Sequence, residues 1–420
     1  METKLRTNTN FGLKILVAFV LIVSIDFWSF MPYLENNYNS YFRFPLFGIL
    51  FFVIITTHRR TTSDYGFDRM LGWTLITIFI SSLSSLVLFN QNVVDSFIAC
   101  VNYTYGALLY FVLRKKNFPI NNLINIIVVI SIIWCLLEFV QQNTYPDFWF
   151  SGRYLKNERL EERMGMWRFY IYGVDLVMIC FTFFVGKCFG NKDSSIVTKT
   201  TGYFKIINII LLILFSCALL IYGSRKHLFV VLLVYILALL SLKGRKFFLY
   251  GIILLFVFSF LFVNFFDAFI EMNERVAANQ GEGEDFVRII AAKYFLFDFS
   301  NSWFYPIFGA GLPHGQSELS ILISNLADMR LHQADCGIIG YYSKFGLFGI
   351  SAVIWFFILF VKNWKYIDNW LKYFFFIKTV MLFFDFWGMW CSGLTAFAIY
   401  LYLLQNNIRI NKKYKINNTK

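Results

Sequence analysis

The chain has 420 residues, of which 58% are hydrophobic and only 15% charged, with a net charge of +13 and a mean hydropathy of +0.59. A soluble domain of this size needs far more charged surface, so the composition excludes an ordinary soluble globular protein and points to the membrane. The basic residues sit in short clusters between apolar runs, as in a membrane protein with one basic side, and this argues against nucleic acid as a partner.

A membrane-crossing helix needs roughly 20 apolar residues. Runs of that kind lie near 12–30, 41–57, 70–89, 94–113, 121–140 and 167–188, and again near 204–222, 226–242, 247–270, 336–361, 371–388 and 390–405. The expected fold is therefore an all-α polytopic membrane protein of about twelve transmembrane helices, within a range of ten to twelve. The first run lacks a small-residue cleavage site and reads as a retained span. Residues 1–270 hold spans one to nine, 271–335 form a long outer loop with an amphipathic helix, and 336–420 hold spans ten to twelve and a basic tail.

Lys and Arg set the orientation. Alternate connections carry Arg59, Arg60 and Arg69; Arg114, Lys115 and Lys116; Lys187, Lys192 and Lys199; Lys243, Arg245 and Lys246; and Lys362, Lys365 and Lys372. Lys4 and Arg6 at one end, and Arg409, Lys412, Lys413 and Lys415 at the other, place both termini on this side, the cytoplasm. The opposite connections near 31–40, 90–93 and 389–392 hold no Lys or Arg. Three outer segments break the rule: 141–166 with Arg153, Lys156, Arg159 and Arg163; the Gly223-Ser-Arg-Lys-His turn; and 271–335 with Arg275, Arg288, Lys293 and Arg330. Snorkelling to headgroups accounts for any one of these cations. Three clusters together favour an anionic ligand on the outer side.

Within the long segment, Glu271, Glu274, Glu282, Glu284 and Asp285 read as a solvated stretch. From Asp285 to Phe299 a helical period follows through Phe286, Val287, Ile290, Ala291, Tyr294 and Phe295, suiting a helix on the membrane surface with Arg288 off its apolar stripe. Tyr305-Pro-Ile-Phe-Gly-Ala-Gly-Leu-Pro must be irregular. Gly309 and Gly311 allow close backbone approach, and a turn explains them more simply than phosphate contact. His332 and Asp335 stand three apart at the mouth of the tenth span and so share a face. Of four histidines, His58 lies among cytoplasmic cations, His227 in the outer turn, and His314 and His332 in the long segment; sequence alone leaves open which of the last two is essential. Seven cysteines, none in a CxxC, read as small buried hydrophobes.

Outer arginines with a histidine and a carboxylate suit transfer from a lipid-linked pyrophosphate. Charge builds on the leaving group, which Arg neutralises through paired hydrogen bonds, while His332 accepts the attacking hydroxyl's proton. The outer segments hold no DxD-like metal motif, so a metal-independent reaction without cofactor is expected.

The order of these elements resembles the O-antigen polymerase and O-antigen ligase superfamily of bacterial envelope glycosyltransferases. Gly223-Ser224-Arg225 is similar to its Ser-Arg element and Arg163-Met-Gly165 to its Arg-x-Gly element. Arg288 with Pro306, Gly309 and Gly311 is similar to the stretch leading into its glycine turn, and His332, Asp335, Gly337 and Gly340, trailed by Gly346 and Gly349, to the motif ending its long loop. The chain has His332-Gln333 where the family pattern has His-Asn. The resemblance implies a GT-C-like fold in the bacterial inner membrane. It implies Arg225, Arg288 and Arg163 on the pyrophosphate, and His332 with Asp335 at the acceptor. The substrate would be an undecaprenyl-pyrophosphate-linked oligosaccharide repeat unit of an O-antigen or capsule, with a chain-length regulator as a further partner. A ligase moving finished glycan to the lipid A core is the alternative within the family. A transporter or flippase using Asp26, Glu138, Asp175 and Asp385 as proton relays is the alternative outside it, although no internal repeat supports it.

Overall fold

In the computed structural model, residues 11–26, 38–57, 65–145, 147, 162–163, 166–167, 169, 172–189, 202–222, 225–242, 286–383, 386, 388 and 390–418 are described. Helices occupy eleven of the twelve expected segments: α1 (Phe11–Ser24), α2 (Tyr38–Thr56), α3 (Phe67–Phe89), α4 (Val93–Thr104) running through a 3-10 turn into α5 (Leu108–Lys115), α6 (Ile120–Thr144), α7 (Val174–Phe189), α8 (Gly202–Ile221) and α9 (Arg225–Leu240), followed after the outer segment by α13 (Ile338–Asn363), α14 (Asn369–Val380) and α15 (Cys391–Asn418). The ninth expected span, near 247–270, and the acidic stretch Glu271–Asp285 lie outside the described residues. Four helical stretches are long and apolar enough to cross a membrane: Phe67–Phe89, Val93–Lys115, Ile120–Thr144 and Ile338–Tyr366; α1, α2, α8 and α9 contribute shorter apolar stretches.

The outer segment contributes α10 (Val287–Lys293) with a π-helical turn to Asp298, α11 (Phe304–Phe308) and α12 (Glu318–Asp328). Two short strands, β1 (Glu162–Arg163) and β2 (Met166–Trp167), form an antiparallel ladder pairing Glu162 with Trp167 and Arg163 with Met166.

The pillar of the bundle is α15. Fifteen consecutive residues, Leu394 to Ile408, are buried, and the helix packs against α1, α3, α4, α5 and α7. From Leu394 to Leu404 every side chain but Thr395 is hydrophobic, and a helical stretch apolar on all sides belongs in the centre. In lipid the gain comes from close packing rather than from exclusion of water, and here rings supply it. Phe360 stacks on Phe375 at 3.7 Å, Phe356 meets Phe397 edge-on at 5.1 Å, and Phe374 meets Tyr400 at 4.8 Å. Each such pair contributes about 0.5–1.5 kcal/mol beyond area burial. The expected basic tail is not a separate segment. The helix continues to Asn418, because Asn411 Nδ2 donates to the Tyr366 carbonyl and the Asp368 carboxylate, both at 2.9 Å, and Lys412 donates to Asn363 at 3.0 Å.

Related contacts bring the described basic stretches around 114–116, 362–368 and 409–412, with 65–68 beside them, to one face of the bundle. Asp68 at the start of α3 pairs with Arg114 at the end of α5, and Lys412 lies over the rings of Tyr65 and Tyr366. The outer segment sits at the opposite face, where Phe89 meets Phe299 at 5.8 Å.

Two carboxylates inside the bundle are ion-paired: Asp26 with Arg43 and Asp175 with Lys378. Glu138 is fully buried with no hydrogen-bond partner of good geometry among the described residues, and Asp385 lies outside them. Removing one partner of a buried pair leaves an uncompensated charge at a cost of about 3–5 kcal/mol. Lys378→Ala should therefore lower the melting temperature of the detergent-solubilised protein sharply. The Lys378→Ala/Asp175→Ala double variant should recover much of the loss, and a double variant no more stable than the single one would refute this coupling.

Candidate functional site

The outer segment has its own small apolar core. Ala291, Phe295, Phe299, Tyr305, Ala310, Leu319, Leu326 and Cys336 pack together under Phe89, Ile339 and Tyr342. The inward stripe of α10 is narrower than its sequence period suggests. Ala291 and Phe295 are buried while Ile289, Ile290 and Phe297 are exposed, and the helix widens into a π-turn at Tyr294–Asp298. The outward apolar side chains remain free to meet lipid.

The glycine turn is bound into the neighbouring helix. Gly346 interrupts α13 with φ 61° and ψ −162°, which frees carbonyls that an unbroken helix would occupy. Ala310 N–H donates to the Ser343 carbonyl at 2.8 Å and Gly311 N–H to that of Lys344 at 2.9 Å, while Gly309 N–H closes α11 on the Tyr305 carbonyl at 2.7 Å. All three amides are thus spent within the protein, and the turn is not a phosphate cradle. A Cβ on Gly309 would lie 2.2 Å from the Lys344 carbonyl oxygen, and one on Gly346 would lie 2.2 Å from that of Ile307. Helix α3 secures the other side. Ser84 Oγ donates to the Gly309 carbonyl at 2.5 Å, and the buried Gln91 amide donates to the Leu312 carbonyl at 2.9 Å. The Gln91 amide oxygen also accepts from Ser317 Oγ at 2.9 Å, so the serine that caps α12 is tied to α3.

His332 and Asp335 are both exposed on this segment. They belong to a 3-10 turn, Gln333–Cys336 with His332 as its first flanking residue, rather than to the first turn of α13. Gly337, with φ 54° and ψ −121°, separates the two. Asp335 N–H donates to the His332 carbonyl at 3.1 Å. Their side chains make no hydrogen bond to one another among the described residues. Gln333 reaches from this turn to the Ser343 hydroxyl, so it ties the His332 backbone to the broken helix.

Arg288 is half-buried in the first turn of α10, and α10 packs on the Gln333–Cys336 turn. Burial pushes the Cys336 thiol up to about 12, with Asp335 raising it further and Arg288 opposing. A thiol held that high is neutral at physiological pH and is no nucleophile. Burial likewise holds the Tyr305 phenol above its ordinary range, and its hydroxyl donates to the Phe295 carbonyl at 2.5 Å. The groups with chemical capacity in these two packed elements are Arg288 on α10 and Asp335 in the turn, with His332 flanking it.

His314 stands apart, half-buried, with its N–H on Gln91 Oε1 at 3.3 Å. Arg163 lies in the ladder beside the C-terminal end of α6, where Trp167 N–H donates to Gln142 Oε1 at 3.0 Å. Arg225 opens α9. The side chains of Arg163 and Arg225 lie outside the described residues, as do Gly165, Gly223 and Ser224. Near Arg225, the buried His227 meets the ring of Tyr222 edge-on at 4.9 Å.

The described contacts bring α10, with Arg288 in its first turn, against the Gln333–Cys336 turn, while Arg163 lies in the ladder beside α6 and Arg225 opens α9. Trp390 faces Tyr172 at 6.3 Å and the ammonium of Lys344 at 5.6 Å. Lys344 is a buried cation that the apolar pattern conceals. Its only sequence signal is a charge inside an otherwise apolar run, two residues before Gly346. Among the described residues no group of three or more His, Cys, Asp or Glu side chains is placed to hold a metal ion. No family profile, characterised protein or solved structure matches the chain.

Proposed function

We propose that the protein is a polymerase of lipid-linked oligosaccharide repeat units, acting at the outer face of the bacterial cytoplasmic membrane through about twelve spans of GT-C-like arrangement with both termini inside. The observation that carries this reading is the patch where Arg288 lies beside the turn bearing His332 and Asp335, at the face opposite the basic connections. An undecaprenyl-pyrophosphate donor would place its diphosphate on arginine. Arg288, with Arg225 and Arg163, would neutralise the charge that develops as the anomeric carbon–oxygen bond breaks. His332, an exposed imidazole, would take the proton of the attacking sugar hydroxyl, with Asp335 stabilising the imidazolium. Such a reaction asks the protein for charge and position alone, and the patch offers both.

Two ion pairs weigh against transport. Asp26 and Asp175 are committed to Arg43 and Lys378, which removes two of the carboxylates a proton relay would use.

Polymerase and ligase are distinguished in cells. Deletion of a polymerase leaves single repeat units attached to the lipid core, whereas deletion of a ligase leaves no attached glycan. On a gel of surface glycans the expected result is one short band in place of a ladder. Complete absence of attached glycan would reassign the protein as a ligase, and an unchanged ladder would refute both.

A further inference from the structure

The outward face of α13 is an apolar stripe that ends in cations. Leu347, Ile354, Ile358 and Val361 are each more than half exposed, and their spacing puts them on one side of the helix. The stretch they lie on, Ile338–Tyr366, is long and apolar enough to cross a membrane, so this stripe faces acyl chains. Lys362 follows one turn after Ile358 and Lys365 one turn after Val361, and both are exposed. The lipid-facing stripe therefore runs straight into two ammonium groups. Between them stands the exposed Trp364, a ring of the kind that sits at headgroup level.

A third cation reaches the same place from the end of α15. Lys412 Nζ lies 4.4 Å from the ring centroid of Tyr65 and 5.0 Å from that of Tyr366, and it donates to Asn363 at 3.0 Å. Lys365 lies over the same Tyr366 ring at 5.1 Å. Rings and a neutral amide position an ammonium without cancelling its charge. Burial first, and then the charges of Lys362 and Lys365, hold the Lys412 ammonium below its ordinary range, with Tyr366 opposing. The carboxylate of this connection is engaged elsewhere: Asp368 accepts from Asn411 at 2.9 Å and lies near Lys372.

Like charges held together repel, and a bound anion removes the repulsion. The surroundings select which anion. A soluble one would meet the lysines alone. A phospholipid meets both parts of the surface, its phosphodiester the ammonium groups and an acyl chain the stripe below them. From Ile354 to Val361 the helix rises about 10 Å, within the roughly 15 Å of hydrocarbon in one leaflet.

We infer that Lys362, Lys365 and Lys412, with the exposed stripe Ile354, Ile358 and Val361 beside them, form a binding site for an anionic phospholipid at the basic end of the bundle. The site is independent of glycosyl transfer and asks only that α13 cross the bilayer.

The test uses the purified full chain in a neutral detergent, with phosphatidylglycerol or phosphatidylcholine added to the micelles and bound lipid counted by native mass spectrometry. The wild type should retain phosphatidylglycerol at least about tenfold better than phosphatidylcholine. Lys362→Gln should weaken phosphatidylglycerol binding about fivefold and Lys362→Gln/Lys412→Gln about 30-fold, the usual effect of surface lysines on an anionic lipid. Because Lys362 is exposed, Lys362→Gln should melt at the wild-type temperature, which separates loss of lipid from loss of fold. Lys116→Gln removes the same charge from the exposed end of α5, outside the stripe, and should bind as the wild type does.

Equal retention of the two lipids by the wild type, or unchanged affinity in Lys362→Gln, overturns the site. A loss in Lys116→Gln as large as that in Lys362→Gln means a diffuse field rather than a site, and overturns it too. Displacement of the lipid by glycerol 3-phosphate assigns the lysines to a soluble anion, and the lipid is then wrong. None of these outcomes bears on polymer formation, so the two readings stand or fall separately.

Discussion

Gly346→Ala should abolish accumulation of folded protein, as should Gly309→Ala. Each new Cβ would stand 2.2 Å from a backbone carbonyl oxygen, and backbone on both sides is held by the hydrogen bonds of Ala310 and Gly311 to Ser343 and Lys344. Neither neighbour can withdraw without breaking those bonds. Both positions also have positive φ, 77° at Gly309 and 61° at Gly346, which an L side chain occupies only with strain. Steric conflict, strain and lost hydrogen bonds together exceed about 4 kcal/mol, a large share of the stability of a typical domain. Gly48 and Gly72 provide the control, since a Cβ there meets nothing within 4 Å. Both are inside helices, where alanine is favoured by about 1 kcal/mol. Size-exclusion profiles in detergent should show a monodisperse peak for Gly48→Ala and Gly72→Ala, and aggregate for the other two. A normal peak for Gly346→Ala would mean that the glycine turn does not dock on α13 as described.

Arg288→Ala should reduce polymer formation by about 10²–10³-fold, the usual consequence of removing one donor from developing negative charge. Its thermal stability should hold, because the side chain is half-buried and makes no described hydrogen bond that the fold needs. Arg288→Lys should recover only part of the rate, since an ammonium cannot present the paired donors of a guanidinium. His332→Ala should show a similar loss. Its effect should centre on turnover rather than donor affinity, as expected for a proton acceptor that contributes mainly in the transition state. Wild-type elongation by Arg288→Ala and His332→Ala together would remove both residues from the chemistry.

The helices were legible because a long apolar run has few alternatives in lipid, where every backbone polar group must be paired internally. Of the stretch 305–313 expected to be irregular, only 309–313 is; residues 305–308 belong to α11, because Pro306 stands in its first turn, where no N–H is needed, and Gly309 ends it. What the stretch docks against was not legible. Ala310 and Ser343 are 33 positions apart, and nothing in either local sequence specifies the other. The same holds for Asp175 and Lys378, separated by 203 positions: each reads alone as an isolated membrane charge, and only the fold makes them a pair. His332 and Asp335 were legible as neighbours near a helix mouth. The 3-10 turn that holds them depends on Gly337 taking a positive φ, a choice that the sequence permits without requiring.

The most direct measurement is elongation by the purified protein in lipid nanodiscs supplied with undecaprenyl-pyrophosphate-linked repeat units, read by mass spectrometry of the products. The expected result is a series of glycans longer than one repeat, with release of undecaprenyl pyrophosphate, formed by the wild type and lost in Arg288→Ala. Repeat units that remain single, or that cross the bilayer of proteoliposomes unaltered, would contradict glycosyl transfer.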